Sequence, residues 1–103
     1  MDPAARFEVD LQALAVFCRQ HGIRRLALFG SALREDFGPD SDVDVLVEFE
    51  AGRRIGFFGL FEIEEALGVF FHGRRVDLRT PEDLSPYFRS EVVASSRPLY
   101  DAA

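Results

Sequence analysis

At 103 residues the chain is long enough for one hydrophobic core and not for two, so a single domain spanning 1–103 is expected. A net charge of −6 argues against a protein whose main task is gripping a nucleic-acid backbone, and apolar and charged shares of 48% and 29% argue against disorder. Cys18 has no second cysteine to pair with, no apolar run approaches the roughly 20 residues of a membrane span, and the first ten residues lack a signal peptide's apolar segment. A cytoplasmic protein without membrane or direct nucleic-acid contact is the expectation.

Asp10 stands where an N-cap belongs, ahead of a helical stripe of Leu11, Leu14, Ala15 and Cys18 that Gly22 ends. Residues 24–30, RRLALFG, form a short buried strand that meets a glycine. SALRED is a brief helix, and FGPDS is turn chemistry. From Ser41 to Glu50 the chain alternates, with Val43, Val45, Val47 and Phe49 on one face and Asp42, Asp44, Leu46 and Glu48 on the other.

A helix follows over 57–71, its Leu60, Ile63, Leu67 and Phe70 at helical spacing. Those four suffice for a buried stripe, so Phe58, Val69 or Phe71 either widens the core face or looks toward water or another chain. Residues 74–80 are again a strand. Residues 80–97 carry a Thr cap and a Pro at the first helical position, and make two short helical pieces broken at Pro86. PLYDAA is a tail. The expected architecture is α/β (α+β), a small three-stranded mixed sheet with helices on one face.

Residues i and i+2 of a strand point the same way, so Asp42 and Asp44 converge above one face. Two carboxylates about 4 Å apart repel by roughly 4 kcal/mol at a surface-like dielectric, so either one aspartate turns into solvent or a cation sits between them. A hard divalent ion such as Mg²⁺ suits oxygen ligands and keeps positions open for water and phosphates. Two such ions form the clamp of phosphoryl-type transfer. Asp77, alone between apolar neighbours on the next strand, is the candidate third carboxylate.

Gly30 ends a strand where a side chain would obstruct an approaching ligand. Ser31 opens a helix whose backbone N–H groups and hydroxyl suit a phosphate. Ser31 as a cap and Asp42 as a turn residue are each ordinary. The four positions in fixed spacing arise by chance in on the order of one chain in a thousand of this length. There is no Walker A signature.

GSALREDFGPDSDVDVLV resembles the signature of the minimal nucleotidyltransferases of the DNA polymerase beta superfamily: Gly-Ser, ten residues, then Asp-x-Asp. Arg34, Asp40 and Ser41 also fall where that family commonly has an arginine, an aspartate and a serine. GRRVDLRTPEDLSPYFR resembles its third-carboxylate strand and following helix. Glu35 departs from the small glycine that often follows the arginine. The resemblance implies a polymerase-beta-like fold, ATP as donor, two Mg²⁺ ions, and transfer of AMP to a hydroxyl.

It further implies Asp42, Asp44 and Asp77 as metal ligands and catalytic residues, and Gly30, Ser31, Arg34 and Ser41 as nucleotide contacts. Minimal members are often paired with a helical HEPN toxin, which they neutralise as antitoxins by adding AMP to a tyrosine. The alternative is a catalytically idle antitoxin that silences its partner by occlusion. His21 and His72 lack the spaced partners of a zinc site, and Cys18 belongs to the core. Arg74 and Arg75 are candidates for a triphosphate or partner contact.

Overall fold

The alternation of residues 43–49 builds the centre of the sheet. In the computed structural model, which describes residues 3–102, β1 (Ile23–Leu28) and β2 (Val43–Phe49) pair antiparallel, with Leu26 opposite Val47 and Leu28 opposite Val45. β3 (Val76–Arg79) joins the other side of β2 in parallel, placing Val43 opposite Val76 and Val45 opposite Leu78. These side chains share one face, and all of them are buried.

Helices α2 (Leu11–Gln20) and α3 (Phe57–Leu67) pack on that face and add Leu14, Cys18, Ile63 and Leu67 to the core, which Phe7, Ala32 and Phe71 complete from the connecting segments. Asp10 caps α2 as its position predicts, accepting the Ala13 N–H at 3.1 Å. Leu14 and Cys18 are fully buried, whereas Leu11, on the same predicted stripe, stays exposed at the first turn. From α3 come Ile63 and Leu67, with Leu60 and Phe70 packed at the margin. A four-residue helix, α1 (Pro3–Arg6), precedes α2 and was not anticipated.

Two expectations are corrected. Residues 97–101 are not a tail: they form β4 (Arg97–Asp101), antiparallel to β1, so the sheet among the described residues has four strands in the order β3-β2-β1-β4 rather than three. Pro98 lacks an N–H and argues against a strand in sequence. An edge position tolerates it, and the pairing slips between Leu26 and Ala27, where Ala27 faces Pro98.

The third helix also ends early. Gly68–Phe71 tightens into a 3₁₀ turn closed by His72 at φ +59°. Tighter winding changes the phase of the side chains. Of the three residues left open between core and surface, Phe71 is therefore fully buried with its ring 5.6 Å from that of Phe7, while Phe58 and Val69 are exposed.

Beyond β3 the chain makes the two expected pieces, a 3₁₀ turn at Pro81–Asp83 and α4 (Arg89–Ser95). Thr80 and Asp83 form a capping box, with the Thr80 N–H and hydroxyl both 3.0 Å from Asp83 Oδ2. Among the described residues no helix is long and apolar enough to cross a membrane.

Candidate active site

The opposite face of the sheet carries the acidic residues. Parallel register sets Asp44 directly opposite Asp77, and Asp42 lies two residues ahead of Asp44, just before β2 begins. Ala27 and Leu46, register partners on this face, are buried and give the carboxylates an apolar floor.

The chain leaves β1 at Phe29 and turns at Gly30, whose φ of +59° is a left-handed conformation that disfavours a side chain. A Cβ there would lie 2.8 Å from Asp44 Oδ2. Gly30 thus makes room for Asp44 itself, a more local reason than the approaching ligand expected from sequence. Ser31 follows in a four-residue 3₁₀ turn, Gly30–Leu33, rather than the expected helix, so no helix dipole is built there. Its N–H donates to Asp44 Oδ2 at 3.1 Å and its hydroxyl donates to the same oxygen at 2.8 Å.

Asp77 is held differently. Arg79, two residues on and therefore on the same face, donates from Nε to Oδ1 at 3.3 Å and from Nη2 to Oδ2 at 3.4 Å. The hydrogen bond and charge of Asp77 raise the Arg79 pKa above its ordinary value, against a smaller desolvation, with Asp83 and Asp44 adding to the rise. Asp42 is exposed, and its backbone carbonyl accepts the Ser31 hydroxyl at 3.4 Å.

The donor set is right in kind for a hard divalent cation: carboxylate oxygens on one face in neighbouring register. Among the described residues, however, no three His, Cys, Asp or Glu side chains are gathered closely enough to hold one. The contacts gather pairs instead, Ser31 with Asp44 and Arg79 with Asp77.

Arg34 and Ser41 serve the loop between Ser31 and Asp42. Arg34 extends into solvent with its Nε 3.7 Å from Asp36, and the Ser41 hydroxyl accepts the Gly38 N–H at 3.1 Å. Arg74 donates to the Gly38 carbonyl at 3.1 Å, while Arg75 is exposed. His21 stacks against Phe17 with ring centroids 4.2 Å apart, and His72 Nε2 lies 3.9 Å from Glu8. Burial pushes the Cys18 thiol up to about 12.

Sequence reasoning missed Arg6, Phe7 and Phe37, which pack around this loop from positions no local pattern connects. It also missed an open groove of about 950 Å³ beside Asp42 and Asp77, lined in part by Phe61, Glu64, Val69 and Arg75.

Known proteins share this arrangement of strands and turns. The nucleotidyltransferase domain family matches residues 12–100. A Methanocaldococcus jannaschii protein named as an inferred protein adenylyltransferase is 33% identical over 76 residues, 72% of this chain and 76% of its own. A solved structure described as an inferred minimal nucleotidyltransferase has a TM-score of 0.70 at 32% identity, covering 93% of this chain and 94% of that one. The fold also recurs, at a TM-score of 0.59, 18% identity and coverage of 88% and 69%, in a structure of tri-AMPylated Shewanella oneidensis HEPN toxin in complex with MNT antitoxin. The chain belongs to the minimal nucleotidyltransferase family and is a nucleotidyltransferase.

Proposed function

We propose that the protein transfers AMP from ATP to a hydroxyl of a partner protein, a tyrosine of a HEPN toxin, and thereby acts as its antitoxin. The observation that carries this reading is the Gly30–Ser31 corner closed on Asp44 with Asp77 directly opposite. Likeness to a protein named for adenylyl transfer and to an antitoxin bound to an AMPylated HEPN toxin supports the donor and the partner.

Asp42, Asp44 and Asp77 are not gathered closely enough to hold an ion as they stand; drawn together on nucleotide binding they would supply oxygen ligands to Mg²⁺, which would neutralise the triphosphate and stabilise the attacking and leaving oxygens. Ser31 offers two donors at the corner, its N–H and its hydroxyl, which suit phosphate oxygens once Asp44 engages elsewhere. Exposed Arg34, now beside Asp36, would add positive charge for the same anion, and the Ser41 hydroxyl shapes the turn that leads into Asp42. The acceptor hydroxyl attacks the α-phosphorus, the bond to the bridging oxygen breaks, and pyrophosphate leaves. Asp77, which lines the groove with Phe61 and Val69, would orient the acceptor and receive its proton.

Incubation with labelled ATP, Mg²⁺ and the protein encoded beside it is expected to label that protein. Undiminished labelling by the Asp42→Asn/Asp44→Asn double variant, or none by the wild type, rejects the reading. One observation favours occlusion as a second reading: Phe58, Phe61 and Val69 leave a largely apolar outer surface around α3. Occlusion predicts neutralisation that survives Asp44→Ala and is lost with Phe58→Ser.

A further inference from the structure

Between Ser31 and Asp42 the chain runs ALREDFGPDS, and beyond Leu33 its one side chain packed against the core is Phe37. A segment with so little buried surface is expected to open easily unless something outside it ties it down. Two arginines do so. Arg6, at the end of α1, donates from Nη1 to the Ala32 carbonyl at 2.9 Å and from Nη2 to the Arg34 carbonyl at 2.7 Å. These carbonyls lie at the C-terminal end of the 3₁₀ turn that begins with Gly30 and Ser31, where helical backbone leaves acceptors unpaired.

Arg74 ties the far end, donating from Nη1 to the Gly38 carbonyl at 3.1 Å and more weakly to that of Pro39 at 3.5 Å. The Phe37 ring lies between them, 5.2 Å from the Arg6 guanidinium carbon and 5.0 Å from that of Arg74. Phe7 completes the anchor, edge-on to Phe37 at 5.3 Å and itself buried. Arg6 and Phe7 lie ahead of residue 12, where the family match begins.

We propose that Arg6 and Arg74 are positioning residues for the nucleotide: they strap the segment 32–39 from both ends and hold Ser31 and Asp42 in the arrangement that receives the triphosphate. This rests on the reading of the Gly30–Ser31 corner as the triphosphate site. A loop already held in its bound form pays less ordering entropy on binding, and apparent affinity scales with the fraction of molecules so held. Lysine cannot replace Arg6, because one ammonium does not present the planar fork that meets two carbonyls.

The test is binding of a fluorescent ATP analogue with Mg²⁺, measured well below each variant's melting temperature. Arg6→Ala and Arg74→Met are each expected to weaken binding, by on the order of tenfold, through loss of charge-assisted hydrogen bonds. Arg6→Lys recovers little of that loss, and Glu8→Gln, at the edge of the same strap, binds as the wild type does. A role confined to stability would lower the melting temperature and leave the affinity of the folded protein unchanged, and that result overturns the proposal. Ser31→Ala separates the two readings. If it weakens binding while Arg6→Ala and Arg74→Met do not, the strap alone falls. If it binds as tightly as the wild type, the triphosphate site is elsewhere and both fall.

Discussion

Asp77 is paired by Arg79 from its own strand, through contacts of 3.3 and 3.4 Å, and not by any residue of β2 that it faces. The guanidinium therefore occupies the carboxylate that β3 would contribute to the proposed metal site. Both partners are substantially solvated, with side chains 49% and 37% exposed, and such pairs are worth only about 0.2–1 kcal/mol. Arg79 is a counter-ion that a divalent cation can displace.

Arg79→Leu is accordingly expected to bind Mn²⁺ more tightly, by about two- to fivefold, as measured by electron paramagnetic resonance without nucleotide. Arg79→Lys, which keeps the charge without the two-pronged contact, should fall between the two. Tighter binding by Asp77→Asn than by the wild type would remove Asp77 from the metal site.

Gly30 combines two constraints that substitution separates. Gly30→Ala puts a side chain at φ +59°, at a cost of about 1–2 kcal/mol, and also drives a methyl to within 2.8 Å of Asp44 Oδ2. Gly52, at φ +80° with open space around its Cβ position, offers the backbone constraint alone. Urea denaturation should show a loss in both variants, larger in Gly30→Ala, where the methyl also meets Asp44. AMP transfer should fall more than tenfold only in Gly30→Ala, because there Asp44 must leave its place beside Ser31. Equal activity in the two variants would count against Asp44 as a catalytic residue.

What could be read from sequence was whatever repeats at short range. The period of two in DVDVLVEF put Val43, Val45 and Val47 inside and Asp42 and Asp44 on the other side, and the structure buries the valines, sets Asp44 opposite Asp77 and leaves Asp42 exposed just before the strand. Asp77 was legible because a lone aspartate among strand formers needs a reason. The side taken by Phe71 stayed open because a change from α to 3₁₀ winding leaves no mark in the apolar spacing. β4 was missed because Pro98 hides an edge strand. The Arg6–Phe37–Arg74 strap was invisible, since its contacts span 26 to 36 residues and no local pattern encodes them.

Cys18 makes stability depend on pH only in the alkaline range. Full burial keeps the thiol protonated, with its pKa pushed up to about 12 from 9.0. The folded state then binds the proton more tightly than the unfolded state. Its contribution is complete below pH 9 and is lost between about 9 and 12, with a slope approaching 1.4 kcal/mol per pH unit. Cys18→Ala should remove that slope while lowering stability at neutral pH through the cavity it leaves. Denaturant midpoints of the two proteins at pH 7.5 and 10.5 give the comparison. A gap that does not narrow at the higher pH would show the thiol to be accessible.

β3 is an edge strand, so one of its rows of backbone groups has no neighbouring strand. Glu64 of α3 takes one of these groups, its Oε2 accepting the Leu78 N–H at 2.8 Å. Leu78 lies between Asp77 and Arg79, so this contact steadies the strand where the third carboxylate stands. Glu64→Ala returns the donor to the groove and should cost about 1–2 kcal/mol, whereas Glu64→Gln keeps an acceptor and should cost less. Hydrogen exchange separates this local effect from global destabilisation. The Leu78 amide is expected to exchange faster in Glu64→Ala while amides of β1 and β2 change little, and AMP transfer should fall in proportion to that loosening. Uniform acceleration across the sheet would mean that Glu64 supports the fold as a whole and does not position Asp77.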